Sequence, residues 1–331
     1  MNTNAWFSKT IGIWISDKKS QKLNWKELIK SSSARGYNLI KIDIDKPLEQ
    51  QRDIDVFLHK LTDIIAASDH GDPNATIIIK RIEQYLSNHP HITVIDPLDN
   101  VRILLNRYRY YTILQEESSL KNNGIFTPAF AEFTTNDLEQ NLNIMKWRNV
   151  KFPVICKPTL AHGSKFAHKM VLIFNKKGLR ECKPPCVVQS FVNHDAVLHK
   201  VFLTGEVCKA DSQSTLSILD PHDKADIRLT LDEEKVKCVI KVLMKKIGLL
   251  LAGFDVVIDN VTGNHAVIDI NVFPSYDSFP NFYEHLLDCI EENISIGSND
   301  CVSLGNKHTL NGLINVGDSN VPCRNVNYYE S

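Results

Sequence analysis

The sequence predicts an α/β fold: a parallel sheet flanked by helices, then two strand-richer α+β lobes and a disordered tail. Three observations carry this expectation. In the first hundred residues short β-rich runs alternate with helical patterns, as parallel strands joined by crossover helices require. Strands dominate from about residue 150 onward. The third is size: 331 residues, 43% of them hydrophobic and 23% charged, supply apolar material for about two domains at roughly 150 residues each.

In chain order, β-rich runs fall at 11–15, 38–44, 55–61 and 93–95, with helical patterns at 25–35 and 74–86. From Leu98, Val101, Leu104, Leu105, Tyr108 and Tyr111 recur at helical spacing, so one helix is expected to cross into the next lobe. Phe126-Thr-Pro128 opens a new region, and strands are expected at 153–157, 169–174, 187–191, 197–203, 253–259 and 265–273. Residues 232–247 read as a helix, because Val236, Ile240, Leu243 and Ile247 share one face that Lys235, Lys237, Lys241 and Lys245 mostly avoid. After Asn293, Gly, Asn and Ser dominate without apolar periodicity. The resulting division is 1–100, 101–195, 196–293 and a mobile tail at 294–331.

Thirty-eight Lys and Arg against 39 Asp and Glu leave a net charge of −1, too little for bulk attraction to nucleic acid or an anionic membrane. Any bound anion therefore needs a local basic pocket. No apolar run approaches the ~20 residues that span a bilayer, and residues 1–10 lack a signal-peptide core. The expectation is a soluble cytoplasmic protein, monomeric by default, with neither nucleic-acid nor membrane partners. Its eight cysteines, at 156, 182, 186, 208, 238, 289, 301 and 323, contain no Cys-x-x-Cys pair. They read as reduced, mostly buried thiols rather than a zinc site or a disulfide framework.

The most informative constellation is Phe254-Asp-Val-Val-Ile-Asp259 and His265-Ala-Val-Ile-Asp-Ile-Asn271 around Asn260-Val-Thr-Gly-Asn264. A hairpin with a five-residue loop centred on Thr262 pairs residues whose numbers sum to 524, and Gly263 can supply a positive φ. Asp255 then opposes Asp269, with Asn271 on the same face and Val256, Ile258, Ile268 and Ile270 on the other. Two opposed carboxylates repel unless a cation lies between them, and with an amide oxygen they suit Mg²⁺. The alternative is an ordinary solvated sheet face.

A second feature runs from Phe152-Pro-Val-Ile-Cys-Lys157 through His162, Gly163, Lys165 and His168. A lysine ending an apolar strand before a small-residue loop is placed to reach nucleotide phosphates. Cys186-Val-Val-Gln-Ser-Phe-Val192 could lay a strand edge along an adenine, followed by Lys200; the alternative is a core strand and an exposed lysine. Lys18, Lys19 and Lys22 follow the first strand and His59-Lys60 ends another, so both basic groups lie where open parallel sheets bind ligands. They form either a polyanion pocket or a solvated rim.

Together and in this order, His59-Lys-Leu-Thr-Asp63, Ile155-Cys-Lys157, Ala161-His-Gly163, Asn193-His194, Lys200-Val-Phe202 and Val267-Ile-Asp-Ile-Asn271 resemble the inositol-tetrakisphosphate 1-kinase family. These enzymes, also called inositol 1,3,4-trisphosphate 5/6-kinases, have the ATP-grasp fold, and the likeness runs from about residue 11 to 293. The resemblance implies an N-terminal pre-ATP-grasp lobe, central and C-terminal ATP-grasp lobes, and phosphorylation of inositol polyphosphate ring hydroxyls by ATP with two Mg²⁺ ions. It implies that Arg107 and Lys157 contact ATP phosphates and that Gln189, Ser190, Phe191 and Val192 line the adenine and ribose. By the same likeness Asp255, Asp269 and Asn271 are the magnesium ligands, and Lys19, Lys60, His168, Lys200 and Asn271 hold the inositol phosphate. His162, Lys200 and Asp269 are the candidate catalytic groups, His162 and Asp269 being those able to act as a base.

The chain departs from the family pattern twice. No Arg-Pro-Ser-Leu or Arg-Lys-Ser-Leu strand follows Gly205-Glu206, where Ser214 and Thr215 are the only echo. Ser275 stands at a family glycine, where its side chain would border the inositol. Two alternatives accompany the kinase reading: an ATP-grasp carboxylate–amine ligase, and an inositol-phosphate-binding homologue without turnover.

Overall fold

The computed structural model describes residues 9–161, 169–214, 229–299 and 326–329. The first lobe comprises β1 (Lys9–Trp14), α1 (Asp17–Ser20), α2 (Trp25–Ala34), β2 (Tyr37–Lys41), β3 (Val56–His59), α3 (Thr62–Asp69), α4 (Pro73–Asn88) and β4 (Thr93–Ile95). Its strands form the expected parallel sheet, in the order β2-β1-β3-β4. Local chemistry marks the helix starts: Asn24 accepts from Glu27 N before α2, and Asp72 accepts from Ala75 N before α4, whose first residue is Pro73. The eight-residue α3 had no separate signal in the apolar pattern.

The single crossing helix is instead two, α5 (Leu98–Leu105) and α6 (Arg107–Glu116). Asn106 breaks them, with an extended backbone (φ −113°, ψ 109°), a β-bridge to Leu160, and a side chain that caps α6 by accepting from Arg109 N. The break makes Arg107 the first residue of a new helix and turns it toward the interior.

Beyond α7 (Ser118–Asn122) lie β5 (Ile125–Phe126), β6 (Phe130–Phe133), α8 (Leu138–Trp147), β7 (Val154–Pro158), β8 (Val171–Ile173) and β9 (Cys186–Ser190). An antiparallel sheet β6-β9-β7-β8 forms the central lobe, with its own small core against α8. Then follow β10 (Val197–Thr204), β11 (Val207–Ser214), α9 (Glu233–Val242) continued by a π turn at Leu243–Ile247, β12 (Leu251–Ile258), β13 (His265–Val272), α10 (Phe282–Asn299) and β14 (Val326–Tyr329). The third sheet runs β14-β11-β10-β12-β13-β5.

Two boundaries differ from those expected. Strand β5 pairs with β13, and Val101, Leu104, Tyr110, Tyr111 and Leu114 share a core with Val201, Phe254 and Ile270 of the third sheet and with Phe130 and Val187 of the central one, so residues 101–126 pack against both sheets. Burial of the apolar faces of α5 and α6, not chain order, decides this. The tail expected from residue 294 also contains structure, since α10 continues to Asn299 and β14 pairs in parallel with β11. Among the described residues no helix is long and apolar enough to cross a membrane.

The lobes are joined through polar contacts, one of them buried. Asp96 accepts from the backbone N–H groups of Leu250 (2.8 Å) and Leu251 (3.1 Å), and burial raises its carboxyl to about 7 against those two bonds. Arg35 binds Asp288 and Glu284 of α10. Replacing Asp96 by Ala leaves two buried donors unpaired, and the expected loss is about 2–4 kcal/mol. Urea unfolding measures it; an unchanged midpoint would show that the contact carries no stability.

Candidate active site

Sheet register assembles the acidic row. Lys200 on β10 pairs with Asp255 on β12, and Asp255 pairs in turn with Asp269 on β13. One step along, Phe202, Gly253 and Asn271 form the next row of the same face. Gly253 is required there, since a Cβ would come 3.1 Å from the Pro274 side chain and 3.3 Å from the Val201 carbonyl. The pairing sum of 524 holds from Ala252↔Val272 to Asp255↔Asp269 and then slips by one residue. Ile268 is the extra residue of this bulge. It was expected in the core with Val256, Ile258 and Ile270, which are buried, but it is only half-buried. The bulge re-aims its carbonyl, which accepts from Lys157 Nζ (2.6 Å) and the Tyr111 hydroxyl (2.6 Å). The turn contains six residues rather than five, with Gly263 at φ 70° as expected.

Lys157 ends β7 with its ammonium buried between lobes, donating also to Tyr111 Oη and Gln189 Oε1, each at 3.1 Å. Arg107 is 1% exposed; its Nε donates to Asp269 Oδ1 (3.3 Å) and another nitrogen to the Pro158 carbonyl (2.8 Å). Tyr110 donates to the same Asp269 oxygen at 2.6 Å. Burial alone would raise the Asp269 carboxyl, but Lys157, Arg107 and the Tyr110 hydroxyl outweigh it and hold the group below its ordinary value. Asp255 lacks that support: burial and the neighbouring Asp269 push it up to about 6, against Lys200 and Lys157. A buried carboxylate pair with one member charged and the other raised is the electrostatic signature of a site that a cation would complete.

The donors fit such a cation. Asp255, Asp269 and Asn271 supply hard oxygen ligands from one sheet face, the set that Mg²⁺ takes when water and phosphate complete its shell. Beside Lys157, Gln189 is 2% exposed, and its Nε2 has no partner among the described residues. Ser190, Phe191 and Val192 border a hollow of about 330 Å³ with Asp259 and Thr262. Strand β9 is flanked by β6 and β7, and Ser190 and Phe191 still donate to the Ala129 and Pro153 carbonyls, so β9 itself offers no strand edge to an adenine.

A cleft of about 1120 Å³ opens next to the acidic row, lined by Lys18, Lys19, Lys22, Lys60, Asn271 and Ser275 among others. Both basic groups of the first lobe therefore converge at the carboxyl ends of β1 and β3. Lys19 is held by Asp63 (2.6 Å) and Thr62 (3.0 Å), and Lys60 lies 5.1 Å from the Phe273 ring centre. Burial, then the charge of Lys19 and Lys22, push Lys60 down to about 8 against Asp63. Ser275 is exposed at the rim, its hydroxyl on Asp277. His59 is not part of the cleft: it is buried against the Asp96 carbonyl at 2.7 Å, and burial lowers it to about 4. His162, Gly163, Lys165, His168 and Thr215 lie outside the described residues.

Tyr111 was read only as an apolar position of a helix, and Tyr110 was not singled out. Their hydroxyls hold Asp269 and the bulge carbonyl, and the available signal was that buried tyrosines seek a hydroxyl partner.

Comparison with known proteins matches residues 10–101 to the inositol 1,3,4-trisphosphate 5/6-kinase pre-ATP-grasp domain and residues 119–240 and 207–292 to the ATP-grasp domain of the same name. An inositol-tetrakisphosphate 1-kinase of Xenopus laevis is 35% identical over 85% of this chain and 78% of its own length. A Danio rerio protein of the same name is 34% identical over equal shares. Among solved structures, a D-alanine–D-alanine ligase from Bacillus anthracis superposes with a TM-score of 0.56 at 16% identity, covering 88% of this chain and 99% of the ligase; that likeness is one of fold.

Proposed function

Because the chain belongs to the inositol 1,3,4-trisphosphate 5/6-kinase family, we propose that it transfers the γ-phosphoryl group of ATP to ring hydroxyls of inositol polyphosphates, inositol 3,4,5,6-tetrakisphosphate and inositol 1,3,4-trisphosphate among them. The observation that carries this reading is Asn271, which stands beside the acidic row on the same sheet face and also lines the four-lysine cleft. A phosphate donor at the row and a polyanionic acceptor in the cleft would meet at that residue. The carboxylate–amine ligase reading gives no reason for four lysines at the acceptor side.

Two magnesium ions held by Asp255, Asp269 and Asn271 would neutralise triphosphate charge and orient it. Lys157, buried at the end of β7, presents a fixed positive charge to the nucleotide phosphates. Gln189 Nε2 offers a donor to the base or ribose, followed by the hollow at Ser190, Phe191 and Val192. Arg107, engaged with Asp269 and the Pro158 carbonyl, keeps the carboxylate oriented and adds charge near the phosphates. Lys19, Lys60 and Lys200, with His168, grip the ring phosphates so that one hydroxyl lies in line with the phosphorus. His162 and Asp269 are the groups proposed to receive its proton. A monomeric, cytoplasmic protein completes the proposal, and light scattering tests the oligomeric part.

The test is transfer from Mg-ATP to each of the two inositol phosphates. Turnover on either supports the reading, whereas inositol phosphate binding by a folded protein without turnover would replace it with a binding role. Lys60 adds a pH signature. Its ammonium loses its proton as pH rises through about 8, and with it part of its attraction for a polyanion. The expected kcat/KM for the inositol substrate falls through that range, since this ratio reports the free protein. Lys60→Arg removes that limb, and Lys60→Ala raises KM roughly 10- to 100-fold at neutral pH with kcat little changed. A flat wild-type profile would remove Lys60 from the binding role.

A further inference from the structure

On the face of the central sheet opposite Lys157 lies a group of three cysteines that the kinase reading does not use. Cys156 precedes Lys157 on β7, so the two side chains point to opposite faces. Cys156 pairs with Val188 and Pro158 with Cys186, which makes Cys156 and Cys186 diagonal neighbours on one face. Cys182 ends the 3-10 turn at Lys176–Glu181, four residues before Cys186, and enters from the same side. The three sulfurs lie within 4.8 Å of one another, and no cysteine of the three is more than 6% exposed. The spacing rule that looks for Cys-x-x-Cys passes over this set, because one member comes from a separate strand.

We propose that Cys156, Cys182 and Cys186 form a three-thiolate site for a thiophilic d¹⁰ cation, Zn²⁺ or Cu⁺. Three thiolates select soft metals over Mg²⁺ or Ca²⁺. With metal–sulfur bonds of about 2.3 Å, sulfurs of a tetrahedral site stand about 3.8 Å apart, so the trio needs a contraction of no more than about 1 Å. The neighbouring Cys182 and Cys186 thiols and the Lys183 backbone favour the thiolate form of Cys156 over the opposing effect of burial. Binding releases three thiol protons to solvent and transfers no electrons. Cu⁺ is satisfied by three sulfurs; Zn²⁺ takes a water or a small thiol as the fourth ligand.

The site would lock β7, β9 and the turn before β9 together. Among the described residues the core around them comprises eleven buried residues, the three cysteines included, so a metal would add a cross-link where apolar burial is scant. It would hold the strands that carry Lys157 and Gln189 without touching the nucleotide.

The test uses the full chain, purified reduced and stripped with a chelator, then titrated separately with Co²⁺, as a spectroscopic stand-in for Zn²⁺, and with Cu⁺. The expected result is about one equivalent per chain for at least one of them. For Co²⁺ it comes with thiolate-to-metal charge-transfer absorption, and a raised thermal midpoint accompanies binding. Cys182→Ser and Cys186→Ser should each weaken binding at least about tenfold, while Cys238→Ser leaves it unchanged. Absence of charge-transfer absorption together with no Cu⁺ uptake in the wild-type protein would overturn the proposal, and that measurement needs no variant to fold. Equal binding by all three variants would overturn it as well.

Discussion

Asp269→Asn lowers phosphoryl transfer by on the order of 10³-fold while inositol polyphosphate binding changes by only a few-fold. Asp269 is where four influences meet: Tyr110 and Arg107 donate to one of its oxygens, Lys157 supplies field, and Asp255 stands directly across the strand pair. The asparagine keeps an acceptor for Tyr110 and Arg107 and removes the charge, so the loss should appear in kcat. Asp269→Ala also abolishes transfer, but it removes the acceptor of Arg107 and Tyr110 as well as the counter-charge, a defect costing about 3–5 kcal/mol. Comparing the two by steady-state kinetics and urea unfolding separates chemistry from folding. Near-wild-type turnover in Asp269→Asn would defeat the site assignment.

The second large effect is expected at Lys157. Lys157→Met keeps the length of the side chain and removes its ammonium, and kcat/KM for ATP should fall on the order of 10³-fold. Lys157→Arg is not expected to rescue it. Ile268 O, Tyr111 Oη and Gln189 Oε1 converge on one nitrogen, whereas a planar guanidinium needs acceptors arranged along its fork. The methionine variant also leaves Gln189 Oε1 unpaired, while the Tyr111 hydroxyl and the Ile268 carbonyl keep their bond to each other, so a loss of about 1–3 kcal/mol accompanies the kinetic defect. Isothermal titration with a non-hydrolysable ATP analogue decides the matter. Unchanged affinity and turnover would show that Lys157 only joins β7 to β13.

Much of the site was legible one strand at a time. Period-2 alternation and a short loop put Asp255 opposite Asp269 with Asn271 on the same face, because within a hairpin register is local information. The same arithmetic misplaced Ile268. A bulge is set by what the freed carbonyl can bind, here Lys157 and Tyr111 from elements far away in sequence. The basic cleft was legible for a related reason: parallel strands bring their carboxyl ends to one side, so Lys18, Lys19, Lys22 and Lys60 had to converge.

By itself, then, the amino-acid order determined which residues are chemically capable and how those within one hairpin or one parallel sheet face each other. Alternation, turn chemistry and crossover topology act over short distances and leave a readable period. Only the tertiary structure decided that Arg107 turns inward at Asn106 to hold Asp269, and that residues 101–126 pack against the third sheet as well as the central one. It alone decided that Cys156 meets Cys182 and Cys186. Those outcomes depend on which apolar faces bury together and which buried polar groups find partners across lobes, and no periodicity along the chain encodes a contact between segments whose packing is settled by the whole fold.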